Sequence, residues 1–163
     1  MEIQVEYRKK QAFSFIGKSV KTNDMTKLPF LCGDLWHNFV KEKDKINGIN
    51  GHFAIGYCEM KCDGKNGEAT YYAGLPVDSN INIPEGFEKV DVPKKDYAVF
   101  AHKGSLRNLP NTFHYIHSDW IKDSGYILDG DFEFEYYDDD FNSDNPDDDN
   151  SIVYVYIPVK RKV

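Results

Sequence analysis

The segment Phe132–Tyr137 carries the residue types best suited to chemistry, because acidic and phenolic side chains alternate there with aromatic ones. Alternate side chains of an extended strand share a face. One face would then hold Glu133, Glu135 and Tyr137, and the other face would hold Phe132, Phe134 and Tyr136. A carboxylate beside a tyrosine on a partly buried face could balance a buried organic cation, or act as a general acid or base with a raised pKa. On its own, however, this pattern is more typical of a strand whose glutamates face solvent.

Other reactive residue types do not form a recognisable site. Cys58 and Cys62 are four positions apart and Cys32 stands alone, which fits no zinc or thiol-exchange motif. His114 and His117 are three positions apart, but a metal site would need a further converging ligand. The chain has no Gly-x-Ser-x-Gly turn and no phosphate-binding loop of the Walker type. We therefore predict neither a metal nor a cofactor.

The acidity of the chain is confined to one segment. The chain has 27 acidic and 20 basic residues, and its formal net charge is −7. The segment Asp138–Asp149 contains no basic residue, and its acidic residues are Asp138, Asp139, Asp140, Asp144, Asp147, Asp148 and Asp149. Without them the chain is formally neutral. The segment lacks the ligand order of a calcium-binding loop, so we predict a mobile, solvated hairpin that steers cations from the rim of a site.

Composition also excludes several classes of protein. A neutral body with an acidic segment argues against binding nucleic acid through a general basic field. No apolar run approaches the roughly 20 residues that a membrane helix needs, and the first residues, Met1–Glu6, lack a signal-peptide pattern. We expect a soluble, cytoplasmic protein. The 11 tyrosines, 11 phenylalanines and two tryptophans favour an aromatic-lined cavity within it.

Two similar series of elements are predicted along the chain. Apolar residues at helical spacing follow both Leu28-Pro29 and Leu109-Pro110, and proline is tolerated in the first turn of a helix. The predicted strands are Phe13–Gly17, Phe53–Cys58, Thr70–Val77, Tyr97–Lys103, Phe132–Tyr137 and Ile152–Val159. Turn-forming residues at Asn47–Gly51 and Asp63–Gly67 separate elements of the first series.

The two series indicate an internal duplication, because their landmarks recur in the same order at a nearly constant offset. The matched landmarks are Leu28-Pro29 with Leu109-Pro110, Trp36 with Trp120, Gly56-Tyr57 with Glu135-Tyr136, and Leu75-Pro76-Val77 with Ile157-Pro158-Val159. We predict a single α+β domain over residues 1–163, with halves at about 1–80 and 84–163. Two strand-helix-strand-strand units would form an antiparallel sheet with two long helices and a central ligand cleft.

The ordered residues of the second half resemble those of the GyrI-like family. They are Pro84–Glu88, Tyr97–Gly104, Trp120–Tyr126, Phe134–Asp138 and Tyr154–Val159. This family comprises the effector-binding domains of AraC-type (Rob-like) and MerR-type bacterial regulators, together with stand-alone members. The resemblance implies a duplicated fold and an aromatic pocket whose glutamate attracts cationic, lipophilic drugs. The family pattern Phe-Glu-x-Tyr-Asp-x-x-Phe falls on Phe134, Glu135, Tyr137, Asp138 and Phe141, so the central glutamate is identified as Glu135.

The candidate ligand-binding residues combine this pattern with the overlay of the two halves. They are Glu135, Tyr137, Trp36, Trp120, Tyr71, Tyr72 and Gly56. Tyr71 and Tyr72 are adjacent, so only one of them can face the cleft. Gly56 would be flanked on its face by Ala54 and Cys58, and these small residues would leave open space opposite Glu135.

Three functions follow from the resemblance. The first is a stand-alone effector-binding protein that senses or sequesters amphipathic, cationic, aromatic compounds, in association with a regulator or another protein. The second is a hydrolase of cyclopropane-bearing natural products, with Glu135 and Tyr137 as catalytic residues. The third is a protein-interaction module like a gyrase-inhibiting relative. The chain lacks a helix-turn-helix segment, so direct DNA binding is not expected, and the acidic insertion after Phe141 exceeds the hairpin typical of the family.

Overall fold

The computed structural model describes residues 3–46, 53–63, 66–78 and 80–163, so the predicted turn at Asn47–Gly51 and the tip of the hairpin at 64–65 lie outside the described residues. The strands are β1 Val5–Lys10, β2 Phe13–Thr22, β3 Ala54–Asp63, β4 Asn66–Val77, β5 Glu88–Val92, β6 Lys95–Lys103, β7 Tyr126–Leu128, β8 Phe132–Tyr137 and β9 Ile152–Arg161. All six predicted strands are present. Three further strands, β1, β5 and β7, are short and rich in charged or exposed residues, which gives them no alternating apolar pattern.

Both helices begin at the predicted Leu-Pro pairs. Helix α1 spans Leu28–Glu42 and is followed by a 3₁₀ turn at Lys43–Lys45. The second helix begins with α2, Leu109–Tyr115, and continues through a π-helical segment, Ile116–Trp120, into α3, Ile121–Asp123. Each proline occupies the first turn, where its missing N–H leaves no intrahelical bond unmade. Among the described residues, neither helix is long and apolar enough to cross a membrane.

The sheet has the symmetry expected of a duplication. Its strand order is β1-β6-β9-β8-β3-β4-β2-β5, and β7 pairs with β9 outside this path. Strands β3 and β8 pair antiparallel at the centre, and each half then continues outward in the same order. The first strand of each half pairs with the other half, because β1 joins β6 and β5 joins β2. The fold is therefore α+β with two strand-helix-strand-strand units that exchange edge strands.

The short connections between strands force the sheet to fold on itself. Only two residues separate β1 from β2, and only two separate β5 from β6. In each case the two consecutive strands lie near opposite ends of the strand order. Two residues span roughly 10 Å at most, whereas six strand spacings in a flat sheet would span about 29 Å. The ring of Phe13 on β2 accordingly lies 5.5 Å from that of Phe134 on β8. The sheet thus has an inner face, which carries most of its aromatic residues, and an outer face.

The two helices pack on the outer face, one over each half. Helix α1 buries Leu35 and Phe39 against a cluster that includes Ile16, Tyr71 and Ala73. The second helix packs similarly over β6 and β9, with Leu109 and Ile116 in a cluster of Ala98, Phe100, Val155, Ile157 and Val159. This arrangement leaves the central strands β3 and β8 between the two helices. The outer-face side chains of these two strands form the floor of the candidate site.

Candidate functional site

Glu135 lies at the centre of the outer face and is buried. Its side chain is 8% exposed, and its backbone pairs with Gly56 across the β3–β8 ladder. The Oη atoms of Tyr71 and Tyr137 lie 3.2 Å and 3.3 Å from Oε2 of Glu135 and donate hydrogen bonds to it. Trp36 on α1 extends this network, because its Nε1 donates to Oη of Tyr71 at 2.8 Å. Four elements therefore converge on one carboxyl group.

Gly56 makes this convergence possible. A Cβ atom at Gly56 would lie 2.1 Å from Oη of Tyr71 and 2.8 Å from Oε2 of Glu135, which is far inside van der Waals contact. The antiparallel register places Ala54 opposite Tyr137 and Cys58 opposite Glu133, so these small residues share a face with Gly56. The prediction of open space above these small residues is wrong at Gly56. The Tyr71 hydroxyl and the Glu135 carboxyl already fill that space.

Burial controls the acidity of the central groups. The pKa of Glu135 is raised to about 7, because desolvation outweighs the hydrogen bonds from Tyr71 and Tyr137, which lower it, and the charge of nearby Glu133 adds to the rise. Burial, followed by the neighbouring Glu135 carboxylate, raises the pKa of Tyr71 and of Tyr137 well above 10. Both phenols therefore remain hydrogen-bond donors at neutral pH. Within the described part of the chain, no cationic side chain forms an ion pair with Glu135.

A cleft of about 580 Å³ opens beside this network. Helix α1 and the turn after it form one wall, and the segment after β8 forms the other. The lining residues are Gly33, Trp36, Phe39, Val40, Lys43, Ala54, Leu75, Leu106, Tyr137, Asp138, Asp139, Phe141, Ser143 and Pro146. Glu135 does not line the cleft. The rings of Trp36 and Tyr137, which are 5.6 Å apart and nearly perpendicular, do line it.

The structure brings five of the seven predicted ligand-binding residues together. They are Glu135, Tyr137, Trp36, Tyr71 and Gly56. Tyr72 lies on the inner face, where its ring packs against those of Phe15 and Tyr57, so Tyr71 is the tyrosine of the pair that reaches the site. Strand alternation predicted that one of the two tyrosines would face the site, and the pairing of β4 beside β3 decides which one.

Trp120 does not reach the site either. Its ring packs edge-on against Phe100, with centroids 4.9 Å apart, where the second helix contacts the sheet. The predicted equivalence with Trp36 does not extend to the side chains. Trp120 is the last residue of the π-helical segment Ile116–Trp120, whose wider turn rotates it around the helix axis relative to its place in a regular helix such as α1.

His117 occupies the position in the second helix that faces the central strands. Its Nε2 lies 2.7 Å from Oε2 of Glu133, and this hydrogen bond raises the pKa of His117. Glu133 thus has an ion-pair partner in His117, whereas Glu135, two residues further along the same face of β8, has none among the described residues. Among the described residues, His114 and His117 do not belong to a group of three or more His, Cys, Asp or Glu side chains that could hold a metal ion.

Sequence reasoning missed several cleft residues. Gly33, Phe39 and Val40 lie on the same side of α1 as Trp36, so helical spacing around Trp36 could have identified them. Lys43, Leu75 and Leu106 come from separate elements, and no local pattern links them. Their convergence depends on the packing of α1 against the segment after β8.

The acidic segment is a loop with internal hydrogen bonds, and most of its acidic side chains are exposed, as its composition predicts. Asn142 organises it, because its side-chain amide donates to Oδ2 of Asp148 at 2.8 Å and its Oδ1 accepts from the backbone N–H groups of Asp144 and Asn145. The loop also binds the start of the second helix, where Ser105 Oγ donates to Oδ1 of Asp147 at 2.6 Å. Turns of this kind are typical of Asn and Asp, whose side chains bind nearby backbone groups.

Comparison with known proteins gives a family and a curated relative. The family model described as "GyrI-like small molecule binding domain" matches residues 1–160. The transcriptional regulator BrlR of Pseudomonas aeruginosa is 35% identical over 128 residues, which cover 78% of this chain and 46% of BrlR. The chain thus spans about half the length of this curated relative.

Solved structures share the fold at low sequence identity. The structure of SAV2435 bound to tetraphenylphosphonium has a TM-score of 0.74 at 17% identity, over 98% of this chain and 94% of that one. A complex of EcmrR with DNA gives 0.69 at 16% identity, over 98% of this chain and 58% of EcmrR. A hydrolase encoded by lin2189 of Listeria innocua gives 0.52 at 14% identity, over 96% and 92%. At these identities the likeness concerns the fold alone.

Proposed function

The chain belongs to the GyrI-like family of small-molecule-binding domains, and on that premise we propose that its cleft binds lipophilic organic cations, with Glu135 as the counter-charge. The relatives include transcriptional regulators. We propose that binding in this chain serves the same end, as an effector signal passed to a regulator. The contacts around Glu135 and the cleft concern ligand binding, and not the transfer of a signal to the regulator.

The observation that carries the proposal is a buried carboxyl group without a cationic partner. Burying an ionised carboxylate is costly unless an opposite charge is close to it. Glu135 is 8% exposed and has two tyrosine hydroxyls as hydrogen-bond partners, but no ion pair within the described residues. A bound organic cation would supply the missing charge and would favour the ionised form of Glu135.

The aromatic walls suit the apolar body of such a ligand. Trp36, Phe39 and Tyr137 line the cleft, and aromatic faces attract a cation by about 0.5–2 kcal/mol each. The tetraphenylphosphonium bound to SAV2435 is a ligand of this class on the same fold. Because Trp36 and Tyr137 stand between the cleft and Glu135, contact with the carboxylate would require the indole of Trp36 to turn aside.

A calorimetric titration of wild type and Glu135→Gln with tetraphenylphosphonium tests the proposal at pH 8. Glutamine has nearly the same shape as glutamate but no charge, so we expect the affinity to fall by at least about tenfold, a loss of about 1.4 kcal/mol. The neutral analogue triphenylphosphine oxide should bind both proteins within about twofold, since it needs no counter-charge. Equal affinities of the two proteins for the cation would refute the role of Glu135.

The matched control is Glu133→Gln, which removes the same charge from the same face of β8. Glu133 is already paired with His117, so its replacement should weaken cation binding much less than Glu135→Gln does. An equal loss in both variants would point to a general electrostatic effect instead of a specific counter-charge.

The hydrolase alternative is favoured by one observation, the pKa of about 7 for Glu135. Such a carboxyl group can both accept and donate a proton near neutral pH. In this alternative Glu135 and Tyr137 are catalytic, and Glu135→Gln abolishes turnover of a neutral cyclopropane-bearing substrate. A pure binding protein shows no turnover of that substrate in either form.

A further inference from the structure

The acidic loop that follows β8 forms the outer wall of the cleft. Asp138, Asp139 and Phe141 line it, together with Ser143 and Pro146. The ring of Phe141 packs edge-on against Tyr137, with centroids 4.9 Å apart. The cleft is therefore continuous from the aromatic side chains above Glu135 to the acidic residues of this loop.

The loop is fixed in place, so its lining residues form a defined wall. The backbone N–H of Leu106 donates to the carbonyl of Pro146 at 3.0 Å, and Arg107 pairs with Asp147 at 3.2 Å. Strand β9 holds the other side, because the N–H of Ile152 donates to the carbonyl of Asp140 at 2.9 Å. These bonds tie the loop to the start of the second helix and to the sheet.

The charges on this wall are not balanced. Neither Asp138 nor Asp139 forms an ion pair in the described parts of the chain. Partial burial, together with the charges of Asp140 and Asp139, raises the pKa of Asp138 despite a hydrogen bond from the N–H of Asp140. Lys43 on the opposite wall is the single cationic residue that lines the cleft among the described residues. The wall therefore has a surplus of negative charge at a distance from Glu135.

The spacing of the two acidic positions suggests the shape of a ligand. Asp138 comes directly after β8 and three residues after Glu135, a backbone separation of roughly 10 Å in an extended chain. The aromatic rings of Trp36, Tyr137 and Phe141 line the cleft beside Asp138. Glu135 lies behind Trp36 and Tyr137, so one ligand reaches both acidic positions once the indole of Trp36 turns aside. Two anionic positions joined by an apolar channel are complementary to a long molecule with a positive charge near each end.

We propose that the cleft selects elongated dications, whose first cationic centre lies at Glu135 and whose second lies between Asp138 and Asp139. This inference rests on the function proposed above and assigns the second acidic position to the loop after β8. The aromatic rings hold the spacer between the two charges. Singly charged ligands use Glu135 alone and gain nothing from the loop.

The test compares two ligands that share one alkyl chain, a bis-quaternary ammonium alkane with its nitrogens about 10 Å apart and the analogue with one quaternary nitrogen. Calorimetry at constant ionic strength should show wild type binding the dication about three- to tenfold more tightly, the gain expected of one or two partly exposed ion pairs. The double variant Asp138→Asn/Asp139→Asn should lose this preference and keep its affinity for the monocation within about twofold.

The matched control is Asp144→Asn/Asp149→Asn, which removes the same charge from the same loop. Asp144 and Asp149 are exposed and do not line the cleft, so the preference for the dication should persist. An equal loss in both double variants would mean that the loop acts through its overall field, and this result would overturn the proposal. Asparagine keeps the side-chain oxygen that accepts the Asp140 N–H, and equal melting temperatures would verify that the fold is retained.

The remaining outcomes separate the two proposals. Equal binding of both ligands to wild type overturns the dication proposal and leaves the role of Glu135 standing. No binding of either ligand overturns the proposed function and the dication proposal together. Lys43→Gln gives an independent result, because removing the cation from the opposite wall should tighten dication binding more than monocation binding. Weaker dication binding by this variant would contradict the proposal.

Discussion

Glu135 owes its properties to its position in the sheet. An exposed glutamate would be ionised at neutral pH. The pKa of Glu135 is instead raised to about 7, with desolvation as the largest cause. Tyr71 and Tyr137 donate hydrogen bonds that partly offset the loss of water. The result is a carboxyl group that changes its charge near neutral pH in response to what binds next to it.

Glu135 should also control how stability depends on pH. Its pKa is about 7 in the folded protein against 4.5 for the ordinary group, so the folded state binds more protons between these values and stability falls as the pH rises through them. Glu135→Gln removes this penalty. We expect the variant to unfold with a free energy about 2–4 kcal/mol higher than wild type at pH 8, and with little difference at pH 4.

Urea denaturation at a series of pH values measures this effect. Glu85→Gln is the control, because Glu85 is exposed and its replacement should give a curve parallel to that of wild type. A constant difference between Glu135→Gln and wild type across the pH range would contradict a raised pKa at Glu135.

The acidic loop shows how short polar side chains replace an apolar core at the level of an element. Asn142 makes three hydrogen bonds through its side chain and a fourth through its backbone N–H, which donates to Oγ of Ser151 at 2.9 Å. Like charges in the loop repel one another, so these bonds must act against that repulsion. The loop thus has a fixed shape that depends on a few residues.

Asn142→Ala should loosen the loop while the sheet stays intact. The loss of its side-chain hydrogen bonds is expected to lower the free energy of unfolding by about 1–2 kcal/mol. Hydrogen exchange followed by mass spectrometry should show faster exchange over residues 142–151 and unchanged exchange in β8 and β9. Asn150→Ala is the matched control, because the side chain of Asn150 forms none of the hydrogen bonds seen in the loop. Equal exchange rates in the two variants would mean that contacts other than those of Asn142 hold the loop in its conformation.

The exchange of edge strands makes the two halves depend on each other across the whole molecule. Strand β1 pairs with β6 of the other half, β5 pairs with β2, and β3 pairs with β8 at the centre. The inner-face cluster likewise joins both halves, since Phe13 and Phe15 belong to it together with Tyr97 and Phe134. Neither half retains a complete sheet or a complete core without its partner.

Fragments 1–80 and 84–163 should therefore be unfolded when separate and should fold when mixed. Each alone would expose apolar surface and unpaired strand edges that the full chain buries. Nuclear magnetic resonance spectra should show poor dispersion for each fragment and native-like dispersion for an equimolar mixture, with the full chain as reference. A well-dispersed spectrum from a single monomeric fragment would show that the halves are independent.

Local sequence patterns determined six of the strands, the starts of both helices and the two faces of β8. Alternation assigned Glu133, Glu135 and Tyr137 to one side of β8, and Leu28-Pro29 and Leu109-Pro110 located the starts of both helices. These features depend on neighbouring residues only, because strand alternation and helix starts are properties of a short stretch of backbone. The order of matched landmarks similarly indicated the duplication.

Only the tertiary structure decided which side chains meet. Tyr71 and Trp36 reach Glu135 because β4 and α1 pack beside β8, and Gly56 leaves the room for them. Trp120 matched Trp36 in sequence but ends a π-helical segment, and the acidic loop is held by hydrogen bonds that composition does not encode. The burial that raises the pKa of Glu135 likewise depends on all of these elements at once, since desolvation is a property of the surrounding packing and not of the residue.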